Sequence, residues 1–201
     1  MNHDPEILQA AIEGDVAAVE SLLLNCYDVI LRHIEFSFPE QLAARTSPQD
    51  ILQETYIRAY RAIDRFKPSD QGSFSGWLRT IADNVLRDEL RRSHRDPRAR
   101  RPESAAGSST SSITDFVGSL DGDEPEPHAN MGQNELLQAF NITFASLEPH
   151  YQQAITLCGL QGQSYQALAE ALQVTPDAAR GIYVRARQKM KQGIVRLSLY
   201  I

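Results

Sequence analysis

Gly72-Ser-Phe-Ser-Gly-Trp77-Leu-Arg-Thr-Ile81-Ala-Asp-Asn84-Val-Leu-Arg-Asp88-Glu-Leu-Arg-Arg92-Ser-His94 is the stretch that decides how the chain is read. Phe74, Trp77, Leu78, Ile81 and Val85 recur at helical spacing, with Leu86 and Leu90 flanking them, so one face of a helix is predicted to enter a core. Arg79, Asp83, Asn84, Arg87, Asp88 and Arg91 point away from it. Ser73 is placed to cap the start. Downstream the helix runs into Arg91, Arg92, Arg95, Arg98, Arg100 and Arg101, interrupted only by Asp96. Cations suit a helix C-terminus, and on this stretch alone a solvated basic face explains them as well as a ligand does.

The segment upstream adds a second amphipathic helix. Ser47-Pro48-Gln49-Asp50 is a capping box with proline in the first turn. Leu52, Tyr56, Ala59, Tyr60 and Ile63 form its inward stripe, which leaves Asp50, Gln53, Glu54, Arg58 and Arg61 outside. Glu54 and Arg58, four apart, read as an exposed pair worth ~0.3–0.5 kcal/mol. Between the two helices lies a polar loop, Lys67 to Ser73.

Taken together, Asp50-Ile-Leu-Gln53-Glu54-Thr-Tyr-Ile-Arg58-Ala-Tyr60-Arg61-Ala62-Ile-Asp-Arg-Phe66 and the spaced set Phe74, Trp77, Leu78, Ile81, Ala82, Asn84, Asp88, Arg91, Arg92 resemble the promoter-melting domain of bacterial sigma factors, in particular the small extracytoplasmic-function group. The resemblance implies that the polar face with Asp50, Gln53, Glu54, Arg58 and Arg61 docks on the clamp helices of RNA polymerase. It also implies that the loop containing Lys67 and Ser73 captures a base flipped from the minus-ten element, with Ala62, Phe66 and Asn84 lining the pocket and Arg87, Arg91 and Arg92 along the DNA. The chemistry is compatible: unstacking a base costs a few kcal/mol, and an aromatic face returns ~1–3 kcal/mol. An Asn amide both donates to and accepts from a base edge.

The composition, 42% hydrophobic and 23% charged over 201 residues, fits one ordinary globular domain or two small ones. A net charge of −6 is unusual for a DNA binder, but it is unevenly spread: −6 over 1–49, zero over 50–86, +4 over 87–101, −6 over 102–134, −3 over 135–175 and +5 over 176–201. Positive charge gathers where nucleic acid is expected. Cys26 and Cys158 have no C-x-x-C spacing, and the five histidines are scattered, so no disulfide, metal site or cofactor is implied. No nucleophile–base pair, paired carboxylates or phosphate loop points to an enzyme or to a small-molecule substrate. The N-terminus lacks a basic start and an apolar core, and no run reaches the roughly 18 apolar residues of a membrane span. A cytoplasmic, reduced protein is expected.

Pro5–Ile12 reads as a short helix. A longer one is capped by Asp15, carries Val16, Val19, Leu22, Leu23, Tyr27, Ile30, Leu31 and Ile34, and ends at Phe38-Pro39; both read as scaffold. Residues 102–134 have no Lys or Arg and many Ser, Gly and Pro. They are expected to be a flexible acidic linker spanning ~31 Å r.m.s., with at most a weak turn near Ile113-Phe116-Val117. From Leu136 a second helical unit begins, ending in a helix-turn-helix in which Ser164 to Leu172 is followed by Thr175-Pro176. Thr175 caps the next helix; Ala179, Tyr183, Ala186 and Met190 face inward, and Arg180, Ile182, Val184, Arg185, Arg187 and Lys189 are candidates for DNA. This unit resembles the minus-thirty-five-binding domain of the same family, with departures at Ala178, Gly181 and Ile182, where a hydroxyl residue, a Ser and often a basic residue are usual. Arg180 is kept, at a position that contacts a base or a phosphate.

The expectation is therefore an all-α protein with two small domains, 1–101 and 135–201, joined by the linker, and with core RNA polymerase and promoter DNA as partners. An anti-sigma protein is a further partner the resemblance leaves open. The competing expectation is a stand-alone helix-turn-helix regulator that binds operators as a dimer.

Overall fold

A computed structural model describes residues 5–68, 73–95, 109–120 and 131–200, and every regular element among them is helical. The chain divides into two compact units, Met1–Arg101 and Pro102–Ile201.

In the first unit, α1 (Pro5–Ile12) is followed by α2 (Val16–Ser37), whose start is fixed by Asp15 accepting from the Ala18 N–H at 2.9 Å. Extended backbone at Phe38, before Pro39, stops α2 as expected. The Ser47/Asp50 box is formed reciprocally and opens α3 (Pro48–Ala62). The expected helix over 47–66 is shorter than its sequence pattern: it passes into a 3₁₀ turn at Ile63–Arg65, and Phe66 is extended. The last helix of the unit, α4 (Phe74–Arg95), starts where Ser73 Oγ accepts from the Gly76 N–H at 3.2 Å. Its Phe74, Leu78, Ala82, Val85 and Leu86 are buried against α2 and α3, with Leu22, Leu23, Ile30, Ile34, Leu52 and Tyr56 opposite. Tyr56 hydrogen-bonds its hydroxyl to the Leu23 carbonyl at 3.0 Å, so the largest buried polar atom is satisfied. Val16 and Phe36, both on the periodic stripe of α2 or beside it, are exposed.

The second unit holds a difference from the sequence reading. Inside the 102–134 segment expected as linker, Ser109–Gly118 forms a helix, α5, and Ile113, Phe116, Val117 and Leu120 are buried. Residues 102–108 and 121–130 of that linker lie outside the described residues, as do Arg98, Arg100 and Arg101, and its last two residues, Gln133 and Asn134, already belong to the next helix. Ser, Thr and Gly around one short apolar cluster read as linker because their weak helix propensity dominates composition; tertiary packing overrides it. α5 packs on α6 (Gln133–Ser146) and on the π-helical segment Ile155–Leu160 that continues α7 (Pro149–Ala154). The Phe116 ring lies edge-on to Phe140 and over Gly159, where a Cβ would stand 2.7 Å from the ring. α8 (Tyr165–Leu172) and α9 (Pro176–Ser198) complete the unit. Between them Gln173 takes the left-handed conformation (φ 56°) and Thr175 caps α9 through the Ala178 N–H at 3.3 Å.

Gly159→Val should therefore expel Phe116 and cost ~1–3 kcal/mol. Gly118→Ala, whose Cβ meets nothing within 4 Å, should stay within about 0.5 kcal/mol. Urea unfolding of the full chain, with chymotryptic cleavage at Phe116 as a second readout, separates the two.

Candidate functional site

α4 carries both a core face and a solvent face, and the solvent face is where the expected DNA residues lie. Asn84 is exposed, and its Oδ1 accepts from Arg87 Nη1 at 2.7 Å. Arg91 and Arg92 are exposed and pair only within the helix, with Asp88 at 3.8 Å and Glu89 at 2.5 Å. Such surface pairs are weak, so these cations are readily transferred to phosphate. Near the start of α4, Phe66, Phe74 and Trp77 form an aromatic cluster with ring centroids 5.1–5.7 Å apart. Phe66 is 2% exposed. Its ring packs against Phe74 and Trp77, and Trp77, expected on the core face, is only half-buried. Ala62 is half-buried at the end of α3, while Lys67 and Ser73 are exposed at the two ends of the loop whose middle, 69–72, lies outside the described residues.

The outer face of α3 is less uniform than its spacing implied. Gln53 and Glu54 are half-buried, and Arg61 is exposed. Asp50 gives its carboxylate to the helix cap, accepting from the Ser47 N–H at 2.9 Å and from Ser47 Oγ at 2.8 Å. Arg58 bridges Glu54 at 2.7 Å and Asp88 of α4 at 2.8 Å. It is thus a tie between α3 and α4, where an exposed pair was expected. Burial acts to depress the Arg58 pKa, but the hydrogen bonds to Asp88 and Glu54 outweigh it and raise it. The same Arg58 hydrogen bond holds the Asp88 carboxyl below the usual carboxylate range.

In the second unit α9 buries Ala179, Tyr183, Ala186 and Met190 as expected. Thr175, Arg180, Val184 and Arg185 are exposed along one side, and Ile182 is half-buried. Arg185 lies back over Gly181, with Nη1 at 3.5 Å from where a Cβ would be, so the missing side chain gives the guanidinium room. Arg187 and Lys189 are engaged within the unit. Arg187 donates to the Ser119 carbonyl just past α5 and sits 5.9 Å from the Tyr183 ring centroid. Lys189 lies 5.3 Å from the Tyr151 ring and 4.0 Å from Glu148. Among the described residues no cluster of His, Cys, Asp and Glu could hold a metal ion, and no helix is long and apolar enough to cross a membrane.

Comparison with known proteins matches both surfaces to one family. Residues 31–96 match the family model described as Sigma-70 region 2, and residues 143–190 match the one described as Sigma-70, region 4. The chain is 27% identical over 191 residues to the ECF RNA polymerase sigma factor SigE of Mycolicibacterium smegmatis, covering 92% of this chain and 66% of that protein. It is 27% identical to the RNA polymerase sigma-H factor of Pseudomonas aeruginosa (95% and 93% covered) and 29% identical to the ECF RNA polymerase sigma-E factor of Haemophilus influenzae (75% and 76% covered). α5 falls outside both matched regions.

Asp88 contributes stability above the ordinary carboxylate pKa of about 4, and this is lost as pH falls through its lower folded value. Urea unfolding from neutral to acid pH should show that loss, and Asp88→Asn should be less stable at neutral pH with a shallower acid decline. An unchanged acid limb would remove Arg58–Asp88 as a tie.

Proposed function

Because the chain belongs to the extracytoplasmic-function group of sigma-70 factors, we infer that it acts as an alternative sigma factor, binding core RNA polymerase and directing it to a subset of promoters. The observation that carries this is the order of the two matched regions on one chain, each with its DNA-facing helix exposed: α4 with Asn84 and Trp77, α9 with Arg180 and Arg185. In this reading α9 enters the major groove of the minus-thirty-five element, and its N-terminal Arg180 reads a base edge. A base of the minus-ten element leaves the duplex, stacks on Trp77 and bonds to Asn84, while Arg87, Arg91 and Arg92 hold phosphates. Opening is driven by binding energy and needs no catalytic step. Gln53 and Arg61 on α3 face the polymerase. The protein works in the cytoplasm, and an anti-sigma protein that covers these faces is a natural regulator. A dimeric operator-binding regulator is not favoured, since it leaves the region 2 match over residues 31–96 unexplained.

Gel filtration with core polymerase tests this: the chain should co-elute one to one, and Gln53→Arg should abolish co-elution without unfolding the protein. Glu54 is a poorer probe because it is bound to Arg58. A chain that runs as a dimer and ignores the enzyme would overturn the reading.

Arg180→Ala should cost ~1–3 kcal/mol on promoter DNA and relax preference at particular bases, whereas Arg185→Ala should weaken all sequences alike and lower the salt slope by about 1. Equal losses for Arg180→Ala on promoter and scrambled DNA would remove Arg180 from base reading.

A further inference from the structure

The most exposed large apolar side chain in the first unit does nothing for the fold. Phe36, in the last turn of α2, is 94% exposed. A single exposed apolar residue is ordinary; its surroundings are less so. Val29, Arg32, His33 and Phe36 lie at i, i+3, i+4 and i+7 on one face of α2, and with Arg79 of α4 they line a shallow groove of about 440 Å³. No acidic residue lines it. Asp83 of α4 is bonded to His33 at 2.8 Å, and exposed Arg32 uses its Nε on the Asp28 carbonyl at 3.1 Å.

An exposed ring sharing a groove with two guanidinium groups is an arrangement that suits a nucleotide: the ring takes a base face and the cations take phosphate. The place of the groove favours nucleic acid over an acidic peptide. Asp83, which ties the groove's His33 to α4, is the residue before Asn84. At 100° per residue, Arg79, Arg87, Thr80, Arg91 and Asn84 lie on the same side of α4 and all five are exposed; Asp83 falls between Arg79 and Arg87 on that side, with its carboxylate on His33. A strand whose base is held at Asn84 and Trp77 therefore has a cationic track leading to Arg79 and Arg32.

We propose that Phe36, Arg32 and Arg79 form a second platform for single-stranded DNA, on which Phe36 stacks another base of the melted strand and the two arginines hold the adjoining phosphates. This rests on the promoter-melting reading of α4. It assigns to the C-terminal end of α2, which sequence reasoning treated as scaffold, a share in holding the open strand and hence in how long the open complex lasts.

The test uses the full chain and a fluorescein-labelled oligothymidine of about 15 nucleotides, close to one single-strand site. Anisotropy gives the affinity, and quenching of the only tryptophan, Trp77, reports whether the α4 pocket is filled. Phe36→Ala should weaken the oligonucleotide roughly ten-fold while Trp77 quenching at saturation is unchanged. Arg79→Ala should lower the salt slope by about 0.7. Both variants should melt at the wild-type temperature and still co-elute with core polymerase, and a duplex of the same length should lose less than about two-fold. Unchanged affinity in Phe36→Ala with Trp77 still quenched would overturn this proposal and leave the melting reading standing. Loss of Trp77 quenching in the wild type would strike the melting reading itself. If Phe36→Ala kept the oligonucleotide but lost polymerase, the groove would be a protein-docking face and the proposal wrong.

Discussion

The first unit depends on one stripe of side chains, Phe74, Leu78, Ala82, Val85 and Leu86, that presses α4 into α2 and α3. Each large apolar side chain buried there is worth ~1.5–3 kcal/mol, several times what any exposed ion pair on the same helix supplies. Because the stripe fixes the rotation of α4, it also fixes what the opposite side presents: Asn84, Arg87 and Arg91 have no choice but to face solvent. Arg58–Asp88 and His33–Asp83 then set the register of α4 against its two neighbours. Packing supplies the stability, and the polar ties supply the alignment.

α9 obeys the same logic with a different division of its cations. The inward stripe from Ala179 to Leu197 leaves Arg180 and Arg185 at the front, while Arg187 and Lys189 are drawn back onto Ser119, Tyr183, Tyr151 and Glu148. α5 belongs to this arrangement, since the Ser119 carbonyl that orients Arg187 exists there only because Phe116 is seated over Gly159. A segment lying outside both matched regions thereby shapes the back of the DNA-facing helix.

The elements legible in the sequence were those with strong periodicity and chemical punctuation. Asp15, Ser47, Ser73 and Thr175 each cap a helix where their side chains predicted one, and Ser164 caps another. What periodicity does not carry is which residue at the edge of a stripe is covered. Phe66 and Trp77 differ from expectation for that reason: both are aromatic neighbours of the core, and Phe66 is the one buried while Trp77 is half-exposed. The Asp50 cap was legible in the Ser47–Asp50 spacing and Arg58 only as the partner of Glu54, because its second partner, Asp88, is a carboxylate 30 residues away. α5 was hidden by composition, and its one signal was the Ile113, Phe116, Val117, Leu120 spacing.

The central claim is that α4 holds a strand open by capturing a base at its exposed corner. Permanganate reactivity of promoter thymines, measured on the complex of this chain with core polymerase, tests it most directly. Wild type should expose thymines in the minus-ten region, and Asn84→Ala should bind polymerase normally yet leave those thymines protected. Equal reactivity with wild type and Asn84→Ala would contradict the account.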